Sequence, residues 1–198
     1  MTPYLRQATA DIRSLVLAPR AFLERVFTDQ ISIGRLLIRW VAPFAAIRPA
    51  AIIFQSTVIG QPSVGVVLGL GSYALQFGTW LGISLIMPAL ARQFDAVILE
   101  RQGFELVTFA SIPYWLFGIL FLAPESSIDI LFWWSRLMVL LSAFYGLYIL
   151  RQGLILCKVP QKSQWPMVGT VGVAGLLVYL VLYGLTGIGA HIVLWVLL

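Results

Sequence analysis

Five long apolar stretches, parted by short polar breaks, fill the chain from about Arg35 onward and decide its class before any motif is read. They cover 36–60, 66–91, 105–123, 128–150 and 167–186. A bilayer core is roughly 30 Å thick, so a helix needs about 20 mostly apolar residues to cross it. Inside that core every backbone N–H and C=O must be satisfied by the chain itself, which leaves helices or closed barrels. The runs are continuously apolar rather than alternating, so they read as helices. The expected fold is all-α: a five-helix transmembrane bundle over residues 35–198, preceded by a cytoplasmic amphipathic arm over 1–34. Charged residues make up 11% of the chain, against about 25% in a soluble domain, so one bundle accounts for the whole sequence.

The placement of lysine and arginine gives an orientation. Arg6, Arg13, Arg20, Arg25 and Arg35 precede the first span. The break at 61–65 has no base; 92–104 has Arg92 and Arg101; 124–127 has Glu125 and no base; 151–164 has Arg151, Lys158 and Lys162. Basic and non-basic connections alternate, which by the positive-inside rule puts the N-terminus in the cytoplasm and the C-terminus outside. An integral membrane protein is the expected setting. Met1–Asp11 lacks a signal-peptide pattern, so the first span is expected to direct insertion.

Within the arm, Pro19 suits the first position of a helix. Phe22, Leu23, Val26 and Phe27 then share a face, with Arg20, Glu24 and Arg25 off it. This predicts a helix over 19–30 lying along the membrane surface. Docking of a partner protein or of anionic lipid head groups is the sharper alternative to a plain anchor.

The first span is interrupted by Pro43 and Pro49 and contains two charges. Arg39, beside Trp40, is placed to snorkel to the head groups. Arg48 is about halfway along, where a charge is costly unless it faces protein or water. A clamp between helices, satisfying carbonyls left by the prolines, is the plainer role for it; an anion or head-group path is the functional one. In the second span Gly78 and Gly82 form a close-packing step, more simply within the chain than between copies. Gln76 is its polar candidate, and Pro88 is expected to kink its inner end. The third span carries Ser111, Pro113 and Tyr114, with Thr108 and Ser111 expected to re-satisfy backbone groups freed by the proline. In the fourth, Trp133 and Trp134 suit an interface, Arg136 shares a face with Asp129, and Tyr145, Tyr148 and Gln152 line the inner half. Gly169, Gly172 and Gly175 offer a second close-packing face in the fifth. The tail 190–198 either extends that span or forms a short interfacial helix.

Little in the sequence points to catalysis. Cys157 is the only cysteine and His191 the only histidine, so neither a disulfide nor a cysteine- or histidine-rich metal site is expected. No nucleotide-binding loop or nucleophile elbow is present, and no cofactor is expected. Asp95, Glu100 and Glu105 gather where the second and third spans meet their connection. With Arg92 and Arg101 interleaved they read as a solvated charged rim rather than an acid–base pair. Anionic membrane lipid is a nearer partner for the basic residues than nucleic acid, which is not expected.

Certain ordered motifs resemble a known family. Phe94 lies at the end of the second span, and Phe109-Ala110-Ser111-Ile112-Pro113-Tyr114 opens the third. Tyr145-Gly146-Leu147-Tyr148 and Gly153 end the fourth, Lys158-Val159-Pro160 follows, and Leu17-Ala18-Pro19 precedes the first. From Pro88 to about residue 185 this is similar to the Yip family of five-span membrane proteins, named for interaction with Ypt/Rab GTPases, and more to its bacterial branch. Asp95-Ala96 stands where many bacterial relatives have paired glycines, and no acidic glycine–proline segment of the Rab-binding kind is visible in 1–34. The resemblance implies the five-span fold and topology without Rab binding.

Two functions follow as expectations. The first is a non-enzymatic membrane-organising or scaffold protein that binds lipid or protein partners, a second copy included. The second is a small transporter or channel with Arg48, Arg136, Gln76 and the polar face of spans three and four along its path. A water-filled cavity reaching Arg48 would favour the second.

Overall fold

The computed structural model describes residues 3–122 and 130–197, and over these the protein is an all-α bundle. Helices α1 (Pro3–Leu17) and α2 (Pro19–Asp29) precede five segments long and apolar enough to cross a membrane. The first segment is composite: α3 (Ile33–Leu36), a π-helical turn (Leu37–Val41), α4 (Ala42–Ala45) and α5 (Ile47–Val58). Then follow α6 (Pro62–Gln93), α7 (Glu100–Phe117) with a 3-10 turn (Gly118–Leu122), α8 (Ile130–Leu156) and α9 (Gln161–Leu197). All five expected spans are present. The tail is an extension of the fifth: α9 runs on past Gly187 and Gly189 to Leu197.

The prolines explain the broken first span. A proline has no N–H for the carbonyl four residues earlier. Ahead of Pro43 the helix widens, and the Ala42 N–H pairs with the Leu37 carbonyl, five residues back. Ahead of Pro49 the helix breaks at Ala46. Pro88 lies inside α6, which continues beyond it to Gln93.

Helix α7 is the most buried of the spans. Every residue from Gly103 to Phe109 is buried, so this stretch has no outward face. Helix α6 packs against α5, α7 and α9, and α8 lies along α7. The α6–α7 contact holds a buried hydrogen bond in which Trp80 Nε1 donates to Thr108 Oγ1 at 2.9 Å. Elsewhere small residues set the spacing. Gly146 lies against the Ala110 carbonyl so closely that a Cβ would overlap it. Gly78 and Gly82 face Leu182 and Val178 of α9, so this step packs within the chain. The second expected glycine face is divided: Gly175 lies against Ile83, whereas Gly169 has open space around it.

The arm differs from its expectation. Phe22, Leu23 and Val26 of α2 are buried in protein, not presented to a membrane surface. The Phe22 ring meets Trp40 and Phe109 edge-on, at 6.2 and 5.0 Å between centroids. Aromatic faces exposed by the π-helical turn and α7 offer the stripe a better-matched surface than lipid does. Helix α1, which the sequence reading did not place, adds a second tie. Asp11 pairs with Arg25 at 3.0 Å and with Arg39 at 3.1 Å. Arg39 is therefore engaged by a carboxylate rather than left to reach for head groups. Tyr145 Oη donates to the Val16 carbonyl at 2.6 Å, fixing the end of α1 to α8.

This packing yields a paired test. Gly146→Leu must push α7 and α8 apart and is expected to cost about 1–3 kcal/mol, as overpacking does. Gly169→Leu meets open space and is expected to leave thermal stability in detergent nearly unchanged. Equal melting temperatures for the two variants would contradict the packing described.

Candidate functional site

Four of the long apolar helices leave a partly open cavity between them. The cavity has a volume of about 440 Å³, within the roughly 300–1,000 Å³ typical of small-molecule sites. Its walls come from α6, α7, α8 and α9. The gap follows from residue size: Ala110, Ala143, Gly146, Gly172 and Gly175 line it and carry too little volume to close it. No charged side chain lines it among the described residues, and its hydroxyls belong to Thr79, Ser111, Tyr114 and Tyr179. Ser111 and Thr79 spend theirs on the backbone, donating to the Val107 and Leu75 carbonyls at 2.7 and 2.8 Å.

Tyr114 links this cavity to Arg48. Arg48 Nη1 donates to Tyr114 Oη at 3.2 Å across α5 and α7. The arginine is half-buried, and its Cβ packs under Gly118, where an added Cβ would come within 2.9 Å. Arg48 thus faces protein, as its depth demands, and meets a phenol one helix away. Arg136 on α8 is also half-buried. Asp129, which the sequence puts on the same face as Arg136, lies outside the described residues, as does the side chain of His191.

The remaining candidates disperse. Gln76 is buried on α6, its Nε2 donating to the Ser72 carbonyl at 3.4 Å, away from the cavity. Pro113 is buried within α7. The hydroxyls expected to serve the carbonyl it frees, that of Phe109, bond instead to Phe104 and Val107. Tyr145 is spent on α1, and Tyr148 lines a small surface groove with Leu17, Pro19, Arg20 and Gln152.

The charged rim is corrected at one position. Asp95 and Glu100 are exposed, but Glu105 is fully buried. Its nearest cation is Arg101, whose Nε stands 3.8 Å from Oε1, too long for a hydrogen bond, and neither carboxyl oxygen has a hydrogen-bond partner. The reason is position: the third span begins at Glu100, so Glu105 is already more than a turn inside the bundle. Asp95 sits in the turn after α6 with φ 56°, a left-handed conformation that aspartate accepts more readily than most residues. Cys157, just beyond α8, is half-buried; burial first, and Glu105 second, push its thiol up to about 12. Among the described residues no group of three or more His, Cys, Asp or Glu side chains is placed to hold a metal ion.

Tyr179 escaped the sequence reading: it lies in an apolar run without a charge or motif beside it, and only the packing of α9 brings it to the cavity. Thr79 stands out in the sequence only as an uncharged polar residue of the second span. Against family models, curated proteins and solved structures, the chain finds no match.

Two outcomes test this account. Because the Cys157 thiol ionises only far above neutrality, maleimide at pH 8 is expected to label it slowly in the folded protein and rapidly after denaturation. Raising the pH from 7 to 9 should speed the folded-state reaction while leaving the thiolate a small fraction. Glu105→Gln, which removes an ill-solvated charge, is expected to keep or raise thermal stability. Arg101→Met, which strands the carboxyl, should lower it by about 1–3 kcal/mol.

Proposed function

We propose that the protein is a non-enzymatic lipid-binding component of a bacterial inner membrane that organises the bilayer around it. The observation that carries this reading is the cavity of about 440 Å³, apolar in its walls and uncharged in its lining. Such a space suits a hydrocarbon chain. It does not suit an ion, for which fixed charges or a dense ring of oxygens would be needed. Arg48 stands behind Tyr114 rather than in the lining, so the arginine-lined path expected of a transporter lacks its wall.

The orientation that fits this reading has α1, α2 and the basic connections in the cytoplasm. The alternation of basic loops supports it, as does the docking of α1 and α2 on the end of the bundle that carries Arg39. The resemblance to the bacterial Yip-like proteins supports the same arrangement. Its expected glycine position, Asp95, adopts a left-handed turn of the kind glycine favours.

Photoactivatable lipid tests the function directly. A diazirine-bearing acyl chain, activated in vesicles, is expected to label residues lining the cavity, Ala110 and Gly172 among them. Labelling confined to the outer faces of α8 and α9 would overturn the proposal. For orientation, a single cysteine at position 63 in a Cys157→Ser background is expected to react only from outside. Reaction only from the cytoplasmic side would reverse it.

A further inference from the structure

From Ile130 onward the sequence has no aspartate or glutamate, while Arg136, Arg151, Lys158 and Lys162 all fall in that stretch. The last three gather where α8 ends and α9 begins. Arg151 lies five residues before the end of α8, about 8 Å along the helix by its rise, and is half-buried. Its guanidinium rests on the Trp165 ring of α9, 4.8 Å from the centroid. Its Nε is buried without a hydrogen-bond partner, and the side chain donates to no described group. Among the described residues no carboxylate lies within ion-pair distance of Arg151, Lys158 or Lys162. The aromatic face attracts the cation but supplies no oxygen to its five N–H donors. The start of α9 lays out the surface around it. Lys162, Trp165 and Gly169 are exposed, whereas Ser163, Gln164, Met167 and Val168 are buried. The exposed residues form one outward stripe at helical spacing, with open space beside Gly169. The stripe runs on through Val173 and Leu180, both exposed. A tryptophan among bases at the end of a span suits the head-group level of a membrane, and the stripe beyond it is apolar.

We infer that Arg151 and Lys162, beside the Trp165 ring, form a site for the phosphate of an anionic phospholipid whose acyl chain lies along Gly169, Val173 and Leu180. The phosphate oxygens accept from the guanidinium in the paired geometry that arginine offers. Lys162, one turn before the ring that carries Arg151, supplies the second charge. Lys158 is exposed in the connection and adds to the positive field, and the N-terminal end of the α9 dipole acts in the same direction. The lack of acidic residues here selects the net charge of the lipid, because the ammonium of a phosphatidylcholine head finds only cations. An acidic protein segment would match the charges but not the apolar stripe that continues from Trp165 into the span. None of these residues lines the cavity, so the site goes beyond the cavity reading and can fail without it.

Native mass spectrometry reads the lipid retained by the full-length protein when it is released from nanodiscs of phosphatidylglycerol and phosphatidylcholine with identical chains. The wild type is expected to keep one phosphatidylglycerol about tenfold more often than phosphatidylcholine, the worth of one charge-assisted hydrogen bond. Arg151→Met keeps the apolar stem and removes the donors. It is expected to bring the two lipids to parity while leaving phosphatidylcholine retention unchanged, which also certifies that the variant is folded. Arg151→Lys is expected to fall between the two, since an ammonium lacks the planar fork. Lys162→Met alters an exposed position and should lower the preference about threefold, which keeps the test decisive if Arg151→Met does not fold. Equal retention of the two lipids by the wild type would overturn the inference and leave the cavity reading, tested by diazirine labelling, standing. A preference that survives both methionine substitutions would overturn the assignment to this site, because the anionic lipid would then be held elsewhere.

Discussion

The packing of this bundle depends on one helix having no outward side. Between Gly103 and Phe109, α7 is enclosed on every face, so each neighbouring element must supply a matching surface. In lipid there is no hydrophobic drive pushing apolar helices together, and association relies on close packing and on hydrogen bonds between helices. Both devices converge on α7. Trp80 reaches it from α6 through a hydroxyl, and α8 reaches it through Gly146, where the two backbones nearly touch. The basic end is closed by an aromatic cluster in which Trp40 stands edge-on to Phe109 at 5.3 Å, with Phe22 against both.

That arrangement also explains where space is left. Glycine and alanine bring α8 close to α7 and α9 close to α6. The same small residues, where no large side chain from the facing helix fills in, leave the four helices unable to meet at the centre. The cavity is the remainder of two tight pairs set side by side. Helix α9, held along α6 and more lightly by α8, is the least buried of the spans. The contact between α8 and α9 is accordingly lighter than that between α6 and α9.

The spans, their number and the disruption caused by Pro43 and Pro49 were legible in the sequence, because length, apolarity and a missing donor act locally. The environments of the charged residues were not. Arg39 and Arg48 look alike as charges in an apolar run, yet one is held by Asp11 from α1 and the other by Tyr114 from α7, at separations of 28 and 66 residues. The arm's apolar stripe was read correctly as a stripe and misassigned in its partner, because periodicity gives a face but not what covers it. Glu105 was grouped with its neighbours on the chain, while the start of α7 at Glu100 carries it into the core. Tyr179 carried no local signal at all.

Two polar centres among the described residues are therefore of different kinds. Near the basic end, a carboxyl at Glu105 is enclosed with Arg101 at 3.8 Å, a poorly solvated group at the junction of α7 and the connection from α6. Around Tyr114 the arrangement differs: its hydroxyl accepts from Arg48 Nη1, and that arginine has a further interaction of its own. A buried group lacking partners costs stability. The difference lies in access. Glu105 is sealed by packing on all sides, so its deficit can be met only from within the fold. Tyr114 lines a partly open cavity between α6, α7, α8 and α9, so its surroundings are not closed by packing alone.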